Sequence, residues 1–141
     1  MSNRNTITVA SAIIANQQGQ LLLVRKKNTR AFMQVGGKLE VDEAAEQALK
    51  REILEEIGCE VSQLRFLQTY HTQAANEPDH QLVSHTFLVT IKGEPKIQAE
   101  LAEMLWLDIE KRDDYPLAPL TKELIIPWWQ AQCTASHKHI D

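Results

Sequence analysis

The sequence is poor in anything that would cross-link it or carry it into a membrane. Its two cysteines, Cys59 and Cys133, lie far apart and in no ligand spacing. A disulfide framework or a cysteine-built metal site is therefore not expected, and both read as reduced thiols of a cytoplasmic protein. No apolar run approaches the length of a membrane span. The opening segment MSNRNTITVASAIIANQQ offers small residues after a short apolar run, but only one Arg precedes it. A first β-strand explains it better than a signal peptide does. Basic residues are not in excess either. Lys and Arg total 15 against 19 Asp and Glu, giving a net charge of -4. That balance argues against a nucleic-acid polymer as the main ligand, since tracking a phosphate backbone needs a basic stripe. It leaves room for a small phosphorylated ligand whose charge is met by a metal ion.

What is present is a globular composition. The 141 residues are 43% hydrophobic and 24% charged, enough for one domain with a real core. No repeat or linker divides the chain, so 1–141 reads as one domain with a frayed SHKHID tail. Ile7–Ala15 and the QLLLVRKK run read as strands, joined by turn chemistry at NQQG into a hairpin. Asn28–Phe32 is a loop, and Gln34–Leu39 contains the paired glycines Gly36 and Gly37. Asp42 has N-cap chemistry, Glu43 suits a first turn, and Glu43–Ile57 holds strong helix formers. Leu49, Ile53 and Ile57 form its core stripe and Gly58 its stop. Val61–Thr72 and Gln81–Ile91 are two further strands flanking the polar loop TQAANEPDH. KGEP is a turn, and Leu101–Leu107 a short strand. Pro119 opens a helix over roughly Leu120–Gln132, which Pro127 should end or kink. This order suggests an α/β sandwich with a mixed sheet.

The helix carries a cost. Glu52, Glu55 and Glu56 share one face at i, i+3 and i+4, and like charges at that spacing destabilise a helix by roughly 0.2–0.5 kcal/mol per pair. A divalent cation would relieve this repulsion. Mg²⁺ takes hard oxygen ligands, keeps waters, and is shared between carboxylates and substrate phosphates. Arg51 is placed to hold a neighbouring carboxylate by a charge-assisted hydrogen bond. The glycines at 36 and 37 let backbone approach a ligand closely.

The spacing from Gly37 through Glu43 to Arg51, Glu52, Glu55, Glu56 and Gly58 resembles the Nudix box, G-x5-E-x7-R-E-U-x-E-E-x-G-U, with U a bulky apolar residue. The box covers Gly37–Cys59, and the element order and the ELAEMLWLD stretch extend the likeness over about the whole chain. Three positions depart from the common pattern: Val35 where many relatives have Pro, Asp42 where many have Gly, and Cys59 at the last apolar position. None removes a charged group. The resemblance implies a Nudix-type α/β/α sandwich with a mixed β-sheet and the box helix. It implies hydrolysis of a nucleoside diphosphate linked to a moiety X, with Mg²⁺ or Mn²⁺ as cofactor. It also implies metal ligation by Glu52, Glu55, Glu56 and the Gly36 carbonyl, and, as such enzymes often pair, a homodimer.

A nucleoside triphosphate, intact or damaged, suits the chain's small size; dinucleotides and nucleotide sugars stay open. Catalysis falls to Glu52, Glu55, Glu56 and Arg51. Around them, Gly36, Gly37, Lys38 and Glu40 are loop candidates. Glu43 divides evenly between a site role and a structural partnership with Arg51. Glu100 and Glu103 are candidates for a base or an extra ligand, against an equal case for exposed acids. His71, His80 and His85 have no ligand spacing, and Trp106, Trp128 and Trp129 read as core or interface. Two other classes compete with an enzyme. A non-catalytic nucleotide-binding module would usually have lost box glutamates, and none is lost. A structural acidic helix leaves Arg51 and both glycines unexplained.

Overall fold

The computed structural model describes residues 5–98 and 100–140, with side chains through 135 in the last helix. Six strands are present: β1 Thr6–Ile13, β2 Leu21–Lys26, β3 Met33–Lys38, β4 Val61–Gln73, β5 Gln81–Ile91 and β6 Leu101–Leu107. Two helices accompany them, α1 Ala45–Ile57 and α2 Ile126–Ile140. The sheet runs β4-β5-β1-β3-β2-β6. β1 is parallel to β5 and antiparallel to β3, so the sheet is mixed.

The two faces of this sheet are packed separately, which gives the three layers. Strands alternate their side chains between faces. Ala10, Ala12, Leu22, Val24 and Val35 therefore meet Leu49, Ile53 and Ile57 of α1. Ile13, Leu21 and Leu23 meet Leu120, Ile125 and Ile126 on the other side. The stripe of α1 is fully buried, and burying each such side chain stabilises by about 1.5–3 kcal/mol. Trp128 and Trp129 are half-buried against the second cluster.

Three local readings need correction. β1 and β2 are not a simple hairpin. Their turn is there, with an isolated Ala15–Leu21 bridge, but β3 then lies between them in the sheet. Asp42 does not cap α1. It sits in the left-handed region at φ 61, inside a turn in which the Glu43 N–H donates to the Glu40 carbonyl at 3.0 Å. Aspartate tolerates that conformation, and the cap position passes to Ala44, which offers no side-chain hydrogen bond. The C-terminal helix begins as a π-helical segment, Leu120–Ile125, where the Ile126 N–H reaches the Thr121 carbonyl. It becomes α-helical at Ile126 and runs past Gln132. Pro127 does not end the helix; it stands where the π-helical segment gives way to the α-helical one, and its missing N–H removes one helical hydrogen bond at that junction. The frayed end expected over Ser136–Asp141 falls outside the residues whose side chains are described.

Gly58 terminates α1 at φ 67, and its N–H donates to the Leu54 carbonyl. A Cβ there would also meet the side-chain amide of Gln98. Gly58→Ala is expected to lower stability by about 1–2 kcal/mol, read as a lower urea midpoint at unchanged slope. An unchanged midpoint would show that the left-handed stop does not hold the helix end.

Candidate active site

The site begins where β3 passes under α1. Gly37 faces Glu52 so closely that a Cβ at 37 would stand 2.5 Å from the Glu52 Cδ. Gly36 has φ 149, and a Cβ there would run into the Ala10 carbonyl oxygen. Its N–H donates to Glu56 Oε1 at 3.2 Å. Gly37 thus makes the room that the Glu52 carboxylate occupies, while Gly36 leaves room for the Ala10 carbonyl and offers its N–H to Glu56.

Arg51 organises the rest. Its Nε and Nη2 donate to the two oxygens of Glu43, at 2.9 and 2.8 Å. Its Nη1 donates to Glu52 Oε2 at 2.9 Å and lies 3.6 Å from Glu55 and 3.9 Å from Glu40. Nη2 also donates to the Lys38 carbonyl at 3.2 Å. One guanidinium therefore ties the loop after β3 to α1 and fixes the Glu52 carboxylate.

The electrostatics sort the acids. The bidentate pair with Arg51 and the Glu40 N–H hold the Glu43 carboxyl down at about 2. Burial pushes Glu56 up to about 7, against the pull of the Gly36 N–H. Burial also raises Glu52, and the Arg51 hydrogen bond opposes it. Glu55 is the exposed member, with half its side chain in solvent. A cation missed in the sequence enters here: Lys26, at the end of β2, favours the ionised forms of both Glu52 and Glu56. A lysine closing an apolar strand carries no spacing signal, so only the fold could place it.

The remaining candidates separate. Lys38 lies 3.8 Å from Glu77 of the β4–β5 loop. Glu103 pairs with Arg25 at 2.7 Å across the β2–β6 register, and no contact joins it to the helix glutamates among the described residues. Glu100 is exposed in the turn before β6, where its carbonyl accepts from the Lys27 N–H. His85 Nδ1 pairs with the Thr69 hydroxyl.

Among the described residues, no three acidic, His or Cys side chains converge into a closed metal cage. The donor set nevertheless fits a hard divalent ion. Buried Glu56 has a backbone N–H and a distant lysine for company and no cation in contact. Glu52 stands beside it, and open space leaves positions for water and phosphate oxygens. That space is a cleft of ≈ 130 Å³, which Gly36, Gly37 and Lys26 border and which the β4–β5 loop overhangs.

A helix of carboxylates lies against a double-glycine strand beside a ligand-sized cleft, the arrangement expected of a phosphoanhydride hydrolase of the Nudix type. The NUDIX domain family model matches residues 5–128, and the chain belongs to that family and is a Nudix hydrolase. It is 30% identical over 129 residues to an 8-oxo-dGTP diphosphatase of Haemophilus influenzae, an alignment spanning 87% of this chain and 91% of that protein. It is 30% identical over 119 residues to a CTP pyrophosphohydrolase of Escherichia coli, spanning 80% and 84%. The solution structure of the E. coli ORF135 protein superposes with a TM-score of 0.68 at 26% identity, covering 95% of this chain and 93% of that one. The crystal structure of a MutT protein from Methanosarcina mazei Go1 gives 0.72 at 20% identity, covering 94% and 98%, a likeness of fold.

The Glu43–Arg51 pair has a pH signature. A carboxyl depressed in the folded state contributes stability above its unfolded pKa of about 4.3, and loses it as pH falls toward the folded value. Metal-free wild type should therefore lose stability between about pH 5 and pH 2 more steeply than Glu43→Gln. Chemical denaturation at stepped pH measures this. Parallel curves for the two proteins would mean that the pair does not couple the loop to the helix.

Proposed function

We propose that this Nudix hydrolase cleaves a phosphoanhydride bond in a nucleoside diphosphate linked to a moiety X, with a nucleoside triphosphate as the substrate. The observation that carries this reading is the placement of Glu52 and Glu56 against the two glycines that border the cleft, within the field of Lys26. The nucleotide pyrophosphohydrolases among its relatives support it. Both cysteines are free, in keeping with a cytoplasmic location, and no helix among the described residues is long and apolar enough to cross a membrane.

The chemistry assigned to the chain is proton transfer and positioning. Water attacks phosphorus, the phosphoanhydride P–O bond breaks, and pyrophosphate leaves a nucleoside monophosphate. Glu52 takes the proton of the attacking water; Arg51 fixes its carboxylate and Gly37 leaves it room. Lys26 and Lys38 meet phosphate oxygens. Glu52, Glu55, Glu56 and the Gly36 carbonyl would hold Mg²⁺ or Mn²⁺, which supplies charge neutralisation at the phosphates and a lowered pKa for water. Removing Glu52's proton-accepting capacity while keeping its size should lower kcat by roughly a hundredfold or more. Glu52→Gln turning over like wild type, in a phosphate-release assay with coupled pyrophosphatase, would take Glu52 out of the reaction.

Metal binding should also register without turnover. The unfolded chain cannot gather the three glutamates, so a bound ion stabilises by mass action, about 2.7 kcal/mol at a hundred times its dissociation constant. Millimolar Mg²⁺ or Mn²⁺ should raise the melting temperature more than NaCl at matched ionic strength, and the excess should shrink in a Glu55→Gln, Glu56→Gln double variant. Equal shifts with both salts, unchanged in the variant, would reduce the acidic helix to a solvated surface.

A further inference from the structure

The cleft has a polar floor that the phosphate chemistry does not use. Ser11 of β1 and Gln34 of β3 lie in it, 5% and 6% exposed, where a sheet facing a core would ordinarily place apolar residues. Following the hydrogens shows what is left over. Ser84 Oγ donates to Ser11 Oγ at 2.8 Å. That uses an acceptor site of Ser11, and its own proton has no acceptor among the described residues. Gln34 Nε2 donates to the Ala12 carbonyl at 2.9 Å, and Gln34 Oε1 accepts from the Thr121 hydroxyl at 3.0 Å. The Ala12 carbonyl can only accept, so it fixes the amide with nitrogen toward β1, and Nε2 keeps one hydrogen to offer beside a second lone pair on Oε1. That hydrogen also lacks an acceptor among the described residues. Each of these two atoms already has one hydrogen-bond partner and a further hydrogen that a ligand in the cleft can accept.

Size and wall chemistry narrow that ligand. A cavity of roughly 150 Å³ holds one benzene ring, and this cleft is ≈ 130 Å³. One six-membered ring fills it, whereas a fused bicycle would project beyond its open mouth. The walls include Ile7, Val9 and Leu82, and none of the described residues that line the cleft is aromatic, so recognition falls on the edge of the ring more than on its face. Gly36 and Gly37 border the same cleft, so a base seated on the floor directs its phosphates toward Glu52 and Glu56.

We propose that this floor is a pyrimidine pocket, in which Ser11 and Gln34 donate hydrogen bonds to carbonyl and ring-nitrogen acceptors on the edge of a single-ring base. The proposal rests on the nucleotide reading above and names its substrate class. Ser11 and Gln34 determine specificity and take no part in proton transfer.

The test is a panel of CTP, UTP, ATP, GTP and 8-oxo-dGTP with Mg²⁺, compared by kcat/KM. Pyrimidines should exceed all the purines by about tenfold or more. Ser11→Ala should lower pyrimidine kcat/KM by about tenfold, mostly through KM, and narrow the gap to purines. Circular dichroism and melting establish that the variant is folded. Should it not fold, Leu82→Ala decides: it widens the cleft without touching either donor and should raise purine turnover relative to pyrimidine. Calorimetry with CMP, UMP and GMP, without metal, separates pocket from chemistry. If no triphosphate is hydrolysed yet CMP or UMP binds more tightly than GMP, the hydrolytic reading fails and the pocket stands. Purines turned over by wild type as well as pyrimidines, or a folded Ser11→Ala with unaltered preference, overturns the proposal.

Discussion

The Arg51 guanidinium is the contact on which the site depends. Five donors in a rigid plane suit it to several carboxylates at once, and here they reach Glu43, Glu52 and the Lys38 carbonyl together. The arrangement solves a problem that the helix creates for itself. Glu52, Glu55 and Glu56 repel one another, and Glu52 and Glu56 are also partly desolvated. One buried-edge arginine offsets the first effect for Glu52 and leaves Glu56 to the Gly36 N–H and the more distant Lys26. The charge pattern that results is graded: a neutralised carboxylate at 43, a steadied one at 52, a solvated one at 55 and an uncompensated one at 56.

The sheet supplies the other half of the arrangement. β3 lies between β1 and β2, which brings the double glycine to the centre of the sheet and under α1, not to an edge. The same strand sends Val35 into the α1 layer and Gln34 into the cleft floor. Four successive residues of β3 thus serve the core, the cleft and two carboxylates.

Some of this was readable from the chain and some was not, and the division follows range. The box glutamates, the stripe Leu49, Ile53, Ile57 and the stop at Gly58 are set by local periodicity, and the fold places them where the spacing implied. The boundaries of β4, β5 and β6 were close for the same reason, since alternation and turn residues mark them. The hairpin reading of β1 and β2 failed because strand pairing is decided by which neighbour arrives from elsewhere, and β3 arrived. The N-cap reading of Asp42 failed because propensity cannot see that Arg51 draws Glu43 into a bidentate pair and tightens the turn before it. Lys26, Ser11 and Gln34 left no trace in the sequence. None of them stands in a spacing that marks a site, and the meaning of each lies in what the fold places beside it.

The π-helical turn over Leu120–Ile125 has a consequence for how the chain tolerates change in length. A π turn holds one residue more than the helix around it, and each residue rotates a helix by about 100°. The extra residue sets the phase of everything after it: Ile125 and Ile126 inward, and Trp129 with its indole N–H on the Gly19 carbonyl at 3.1 Å. Deleting one residue here would restore a regular helix and yet turn the whole of α2 off the sheet. Adding one to the exposed β4–β5 loop would change no phase at all. Along this chain, helical phase therefore counts length strictly in one segment, and that segment is the one that carries Thr121 into the cleft.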